Sequence, residues 1–282
     1  MSAAAEAVRA IWRDGTGRIG LVLVVLVLLF SLAGPALIPW DPNRLDVLHR
    51  FSGPSAAHWL GTDHLGRDML ARLADGGQLA LEVSILTIAV ALLAGTAAGV
   101  AAGFAPPGLE RVILVVFDVV SSFPGLLLAL AVVALLGPGL DKVVLVIALT
   151  MVPHFGRVAR AQTLGVRNSA FLEAERALGA GPVRIVLVHV LPNILGPLLV
   201  LASMDIPVVI TVEAGLSFLG VGIPPPRASW GALLHDGYNN LARSTWPVAL
   251  AAVALCAATL GFTLFGEALR DAVDPRLRGP AA

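Results

Sequence analysis

Asp118, Asp205 and Glu213 each lie in a stretch too apolar to be an aqueous loop. A carboxylate in a bilayer gives up its hydration, so it persists only beside a partner, a water-filled path or a proton it carries. Two readings follow for each acid. One is the wall or gate of a permeation path; the other, which is favoured, is hydrogen bonding to kinked backbone or a neighbouring helix. Glu213 sits nearest the end of its stretch and is expected to cap a break before Gly215. His49, His58 and His64 form a second group of candidates, but their spacing fits no tight ligand set. Solvated loop histidines are therefore favoured over a metal site, and no metal is expected. Asp63 and Asp68 among them suit turns and helix starts. Catalytic signatures are missing: there is no Gly-x-Ser-x-Gly elbow and no His-Glu-x-x-His zinc pair. A phosphate-binding loop needs a lysine followed by Ser or Thr, and the only lysine, Lys142, precedes Val143-Val144. Any ATP hydrolysis linked to this chain must come from a partner.

The elements that carry these residues are apolar. The 282 residues are 57% hydrophobic and 13% charged, where a soluble domain carries roughly 25% charged residues, and mean hydropathy is +0.86. Apolar runs of about 20 residues cross a bilayer as helices. The sequence predicts an all-α, polytopic membrane protein with six transmembrane helices, at residues 19–38, 79–104, 112–136, 143–155, 194–219 and 246–269. The fourth is short and is expected to extend through Arg157 toward Arg160. A cleaved signal peptide is the alternative for the first run, but that run exceeds the 7–15 apolar residues of such a peptide, and a retained anchor is preferred. The remaining organisation is a cytoplasmic N-terminus at 1–18, an external loop at 39–78, a permease core at 79–269 and a cytoplasmic tail at 270–282. Twelve basic residues fall on the side of the termini and seven on the other, which places both termini inside. Trp40 and Trp246 suit the outer interface. Zero net charge suggests no nucleic-acid partner, and the lone Cys256 allows no intrachain disulfide. Gly95, Gly99 and Gly103 share one helix face, where backbones can approach closely; static packing is favoured over a sliding pair. Pro124, Pro197 and Pro207 are expected to kink their helices.

Residues 156–193 are too polar to lie in the membrane. Phe171 to Leu178 is a run of helix formers, stopped by Gly179-Ala180-Gly181-Pro182, where glycine can turn left-handed and proline can start the next helix. A short amphipathic helix bracketed by hinges on the arginine-rich side suits docking to a cytoplasmic partner, with a surface-lying connector as the alternative.

Glu173-Ala174, Gly179 and Leu191-Pro192 resemble the EAA loop of ABC-importer permeases. Leu60-Gly61-Thr62-Asp63-His64-Leu65-Gly66-Arg67-Asp68, Glu213 to Gly222, Pro224-Pro225, Ser229-Trp230-Gly231 and Leu269 to Arg276 extend the match over most of the chain. Together they resemble the C-type permease of the dipeptide, oligopeptide and nickel importers. Glu175 stands where alanine is usual and Glu267 where aspartate is usual. His189 replaces the general motif's isoleucine and resembles the peptide-permease branch.

The resemblance implies a type I ABC importer fold in the bacterial inner membrane, with a cytoplasmic coupling helix. It implies a heterodimer with a homologous permease, two ATP-binding-cassette ATPase subunits below and an external substrate-binding protein above. ATP and magnesium would belong to the ATPases, leaving this chain without a cofactor and without enzymatic activity. Glu173, Ala174 and Gly179 would contact the ATPases, with Ala177 and Leu178 as apolar contacts. Peptides are the expected substrate; nickel, glutathione or other small solutes stay open. A secondary carrier using Asp118, Asp205 or Glu213 for proton coupling is the chief alternative, and a membrane enzyme or a scaffold are lesser ones.

Overall fold

In lipid, backbone polar groups must be satisfied within the segment, which selects helices for apolar runs of this length. The computed structural model describes residue 9 and residues 11–273. Among these, no strand forms, and Thr62 and Asp68 make an isolated bridge. Residues 1–8 and 10 of the N-terminal segment, the tail beyond Val273, and with it Asp274-Pro275-Arg276 and Arg278, lie outside the described residues.

The helices are α1 Gly15–Leu37, α2 Met69–Phe104, α3 Pro107–Ser122, α4 Gly125–Leu136, α5 Leu140–Arg167, α6 Ala170–Ala177, α7 Pro182–Phe218, α8 Trp230–Asn239 and α9 Trp246–Val273. Within α7, Ile185–Val190 is π-helical. Helices α1, α2, α5, α7 and α9 are each long and apolar enough to span a membrane, and α3 with α4, bent by 84°, forms a sixth candidate. The run expected as one helix at 112–136 is thus two. Phe123 precedes Pro124, whose ring disfavours helical backbone in the residue before it, and Phe123 is extended at φ −84° and ψ 129°. Pro197 and Pro207, by contrast, stay within the continuous helix Leu191–Phe218, and the Thr211 hydroxyl donates to Pro207 O at 2.8 Å.

Helix ends run past the expected spans. Helix α2 begins at Met69, inside the stretch read as external loop 39–78; α5 continues to Arg167, and α7 starts at Pro182. Most of 156–193 is therefore helix. Hydropathy registers the apolar slab, whereas backbone hydrogen bonding carries a helix on into water. The break expected before Gly215 is also absent. Helix α7 ends at Phe218 and closes with Gly220 at φ +80°, Gly220 N donating to Ser217 O and Val221 N to Leu216 O, a left-handed glycine stop.

The chain divides into two compact units. The first comprises Met1–Ile85, Leu130–Val143 and Met204–Ala282. Here α1 lies directly on α9 through small residues: a Cβ on Gly20 would come within 2.5 Å of Phe265 N, and one on Gly17 within 2.7 Å of Ala268 Cβ. Met69, Leu73, Ile210, Trp230, Leu233 and Phe262 form the core of this unit. Trp230 donates its indole N–H to Leu73 O at 2.9 Å.

The loop before α2 is knotted by its own motif. Asp63 accepts from Leu65 N at 2.8 Å and Arg67 N at 2.9 Å, and from Arg67 Nε at 2.7 Å. Asp68 caps α2 by accepting from Ala71 N at 2.8 Å. Gly66, at φ +78°, packs so tightly that an added Cβ would overlap Asp46 O.

The second unit comprises Leu86–Ala129 and Val144–Ser203. The Gly95, Gly99 and Gly103 face of α2 meets α5: added Cβ atoms would reach Phe155 Cβ at 2.7 Å, the carbonyl of Gly156, and Thr163 Cγ2 at 2.6 Å. Phe117 of α3 is buried and its ring fills the space beside Gly156.

Candidate functional site

Helix α6 is eight residues long, enough for two turns, and short helices of this size depend on tertiary anchors. Its anchor is Leu172, fully buried. On the same side Arg176 donates to Arg167 O at 2.9 Å, and Glu175 Oε2 stands 3.5 Å from His189 Nε2 of the π-helical stretch. Phe171 lies over the His189 ring with centroids 6.4 Å apart. The opposite face is bare. Glu173, Ala174, Ala177 and Leu178 are all exposed, and the Leu178 side chain is 83% exposed. Positions i, i+1, i+4 and i+5 share one side of a helix, so the tethers on the other side present these four together.

The stop is built as expected. Gly179 has φ +86°; Gly179 N donates to Arg176 O and Ala180 N to Glu175 O, each at 3.0 Å. This is the paired bonding of a Schellman cap. Nothing lies within 4 Å of a Cβ built on Gly179, so the glycine serves the backbone angle and leaves open space beyond it. Past the stop, Pro182, Val183, Val186 and Leu187 line an open apolar depression.

Of the three acids of the apolar stretches, Asp118 belongs to the second unit and Asp205 and Glu213 to the first. Asp118 on α3 pairs with Arg157 of α5 at 2.8 Å, and the Ser121 hydroxyl accepts from the same guanidinium. The Asp118 and Arg157 side chains are 71% and 43% exposed. A companion pair, Arg160 with Glu110, joins the same two helices, Nε to Oε1 at 2.8 Å. Glu213 is buried on α7; it accepts from Ser217 Oγ at 2.6 Å, with the Ser229 hydroxyl as a second hydrogen-bonding neighbour. Asp205 is half-buried on α7. The three loop histidines take separate acids: His49 with Asp46 at 2.8 Å, His58 with Asp68 at 2.9 Å and His64 with Asp236 at 3.8 Å. The His49 hydrogen bond holds the Asp46 carboxyl below its usual range.

Sequence reasoning missed Leu172, Arg157 and the Glu175–His189 contact. Leu172 carried a usable signal, being an apolar residue on the face away from Glu173. Arg157 lies 39 positions from Asp118, and no local pattern links them.

Apolar spanning helices, with one short helix held out on a glycine stop, define a polytopic membrane protein. The chain belongs to the family of binding-protein-dependent transport system inner membrane components, which it matches over residues 78–279. It is 34% identical over 273 residues to the dipeptide transport system permease protein DppC of Alkalihalophilus pseudofirmus, covering 97% of this chain and 90% of that one. It is 37% identical over 258 residues to the probable D,D-dipeptide transport system permease protein DdpC of Escherichia coli K12, covering 92% and 87%. The glutathione transport system permease protein GsiD of Pectobacterium atrosepticum is 36% identical over 258 residues, covering 91% and 86%. Among solved structures, the MetNI methionine ABC transporter in an inward-facing conformation aligns with TM-score 0.59 at 19% identity, over 73% of this chain and 98% of that one. That likeness is one of fold.

Proposed function

We propose that this permease forms half of the translocation path of an ATP-driven peptide importer and couples to cytoplasmic ATPases through α6. The carrying observation is the four-residue face of Glu173, Ala174, Ala177 and Leu178, exposed on a helix whose other side is tethered. A homologous permease would supply the other half of the path, two ATPase subunits would receive α6, and an external binding protein would deliver substrate. Both termini would lie in the cytoplasm, as the distribution of arginines favours. ATP and magnesium would be held by the ATPases, and this chain would need no cofactor of its own. Di- and oligopeptides are the substrates that the dipeptide relatives support best; glutathione, itself a peptide, fits the same reading, and nickel or other small solutes are the alternative.

Charged groups at membrane depth face protein or water. The exposed Asp118–Arg157 pair, with Ser121, therefore supplies a polar wall to the path, and Asp205 is a further candidate for it. Glu213 has another task in this reading: enclosed by Ser217 and Ser229, it ties the end of α7 to the start of α8.

The test is to purify the chain from native membranes in mild detergent and identify every co-purifying protein. A second permease and one or two P-loop ATPases are expected. Recovery of the chain alone, active in uptake without ATP, would overturn the reading in favour of a secondary carrier.

A further inference from the structure

Glu175 and His189 are two positions where this sequence parts from the general EAA pattern, and in the fold they face each other. Their separation of 3.5 Å lies within ion-pair range for a protonated imidazole and is too long for a good hydrogen bond. The His189 Nε2 atom is buried without a hydrogen-bond partner, while the two side chains keep 20% and 32% of their surface for His189 and Glu175. Phe171 of α6 stands beside the ring, tilted by 58° to it.

His189 also lies where α7 departs from regular helix. In the stretch Ile185–Val190 the bonding steps back five residues, as Leu191 N donates to Val186 O. Pro192, next in the chain, has no N–H to give a carbonyl one turn back, and the Asn193 side-chain amide donates to His189 O at 2.6 Å. Such π-turns are rare and concentrate at functional positions. The root of α7 thus has a compliant turn, and the residue that reaches α6 sits within it.

We infer that Glu175 and His189 are positioning residues forming a latch, by which displacement of α6 is passed to the root of α7. This deepens the importer reading and rests on it. Gly179 and Gly181 would otherwise let α6 move alone: neither has any atom within 4 Å of an added Cβ, and Gly179 is left-handed. Arg176 ties α6 to the end of α5, and Leu172 is buried beneath it. The Glu175–His189 contact joins α6 to the helix that follows it, and a move of well under an ångström toward α7 would bring it to hydrogen-bond length.

The test is amide hydrogen exchange on the whole co-purified complex, with and without a non-hydrolysable ATP analogue. In the wild type, both 170–177 and 185–191 should change their exchange on nucleotide binding. In Glu175→Gln the 170–177 response should persist while that at 185–191 falls by at least about threefold, the size expected for loss of one coupling contact. The swap of Glu175→His with His189→Glu should restore it. A merely structural contact would lower both responses together and would not be rescued by the swap. An unchanged 185–191 response in Glu175→Gln, or a swap that fails to rescue, overturns the latch. If Glu175→Gln does not assemble, His189→Gln carries the same expectation. If the wild-type chain yields no ATPases, the importer reading falls and the latch falls with it.

Discussion

The loop that leads into α2 and the short helix α6 solve opposite problems with similar residues. Around Asp63 the charges are buried: Asp63, Asp68, Arg67 and Arg72 are all nearly inaccessible. Asp63 draws in Arg67 at 2.7 Å and Arg72 at 3.5 Å, while Arg72 also donates to Pro42 O at 3.2 Å. Arg67 reaches Asp236 at 3.6 Å. Along α6 the charges are exposed or half-exposed, and apart from Leu172 the tethers are long or single. The first region is locked by cross-links that are costly to break, and the second is held by few contacts between hinges. A buried ionic network specifies one arrangement; a two-turn helix on a glycine stop can be moved by whatever grips it.

The largest effect expected from this contrast is in the loop. Asp63→Ala leaves two buried guanidinium groups without their shared carboxylate and should cost about 3–5 kcal/mol, read as a collapse of thermal stability of the purified complex. A variant as stable as wild type would break the comparison, because the network would then be ornament. Next comes Gly179→Trp. The left-handed backbone costs any side chain about 1–2 kcal/mol, but the open space at that position means the chain still folds. Nucleotide-driven uptake should be lost while helix content by circular dichroism is kept; intact uptake with normal stimulated ATPase would remove α6 from the coupling role. The smallest stability change belongs to Glu173→Ala, within about 0.5 kcal/mol, as for other exposed sites. Its transport should nonetheless fall with the ATPases still running. A large fall in melting temperature would show that Glu173 supports the fold, so that α6 is no more a presented element than the Asp63 loop.

How far these features could be read beforehand depended on the range of the interaction. The Gly179 stop was legible because few residues other than glycine tolerate its angle next to a helix. The Gly95, Gly99 and Gly103 face was legible because a regular helix repeats every 3.6 residues. Asp63 and Asp68 do act on local backbone, in turn and cap, as their types suggest. The helix ends were less legible: α2 starts well before the apolar slab, because Asp68 can cap it there. The split of α3 from α4 was foreshadowed by Pro124, yet Pro197 and Pro207 carried the same signal and left their helix continuous. The difference lies in the residue before each proline: Phe123 is extended, whereas Gly196 and Ile206 stay helical.

Composition and hydropathy alone determined that the chain is helical and crosses a membrane, since water cannot solvate so many apolar residues and lipid cannot solvate an unpaired backbone. Residue type alone determined where α6 stops. Tertiary structure decided which side of α6 is offered, because that follows from the burial of Leu172 and the tethers of Glu175 and Arg176. It also paired Asp118 with Arg157 and His189 with Glu175. Such pairs join separate helices, and only the packing of those helices sets which charges come within reach.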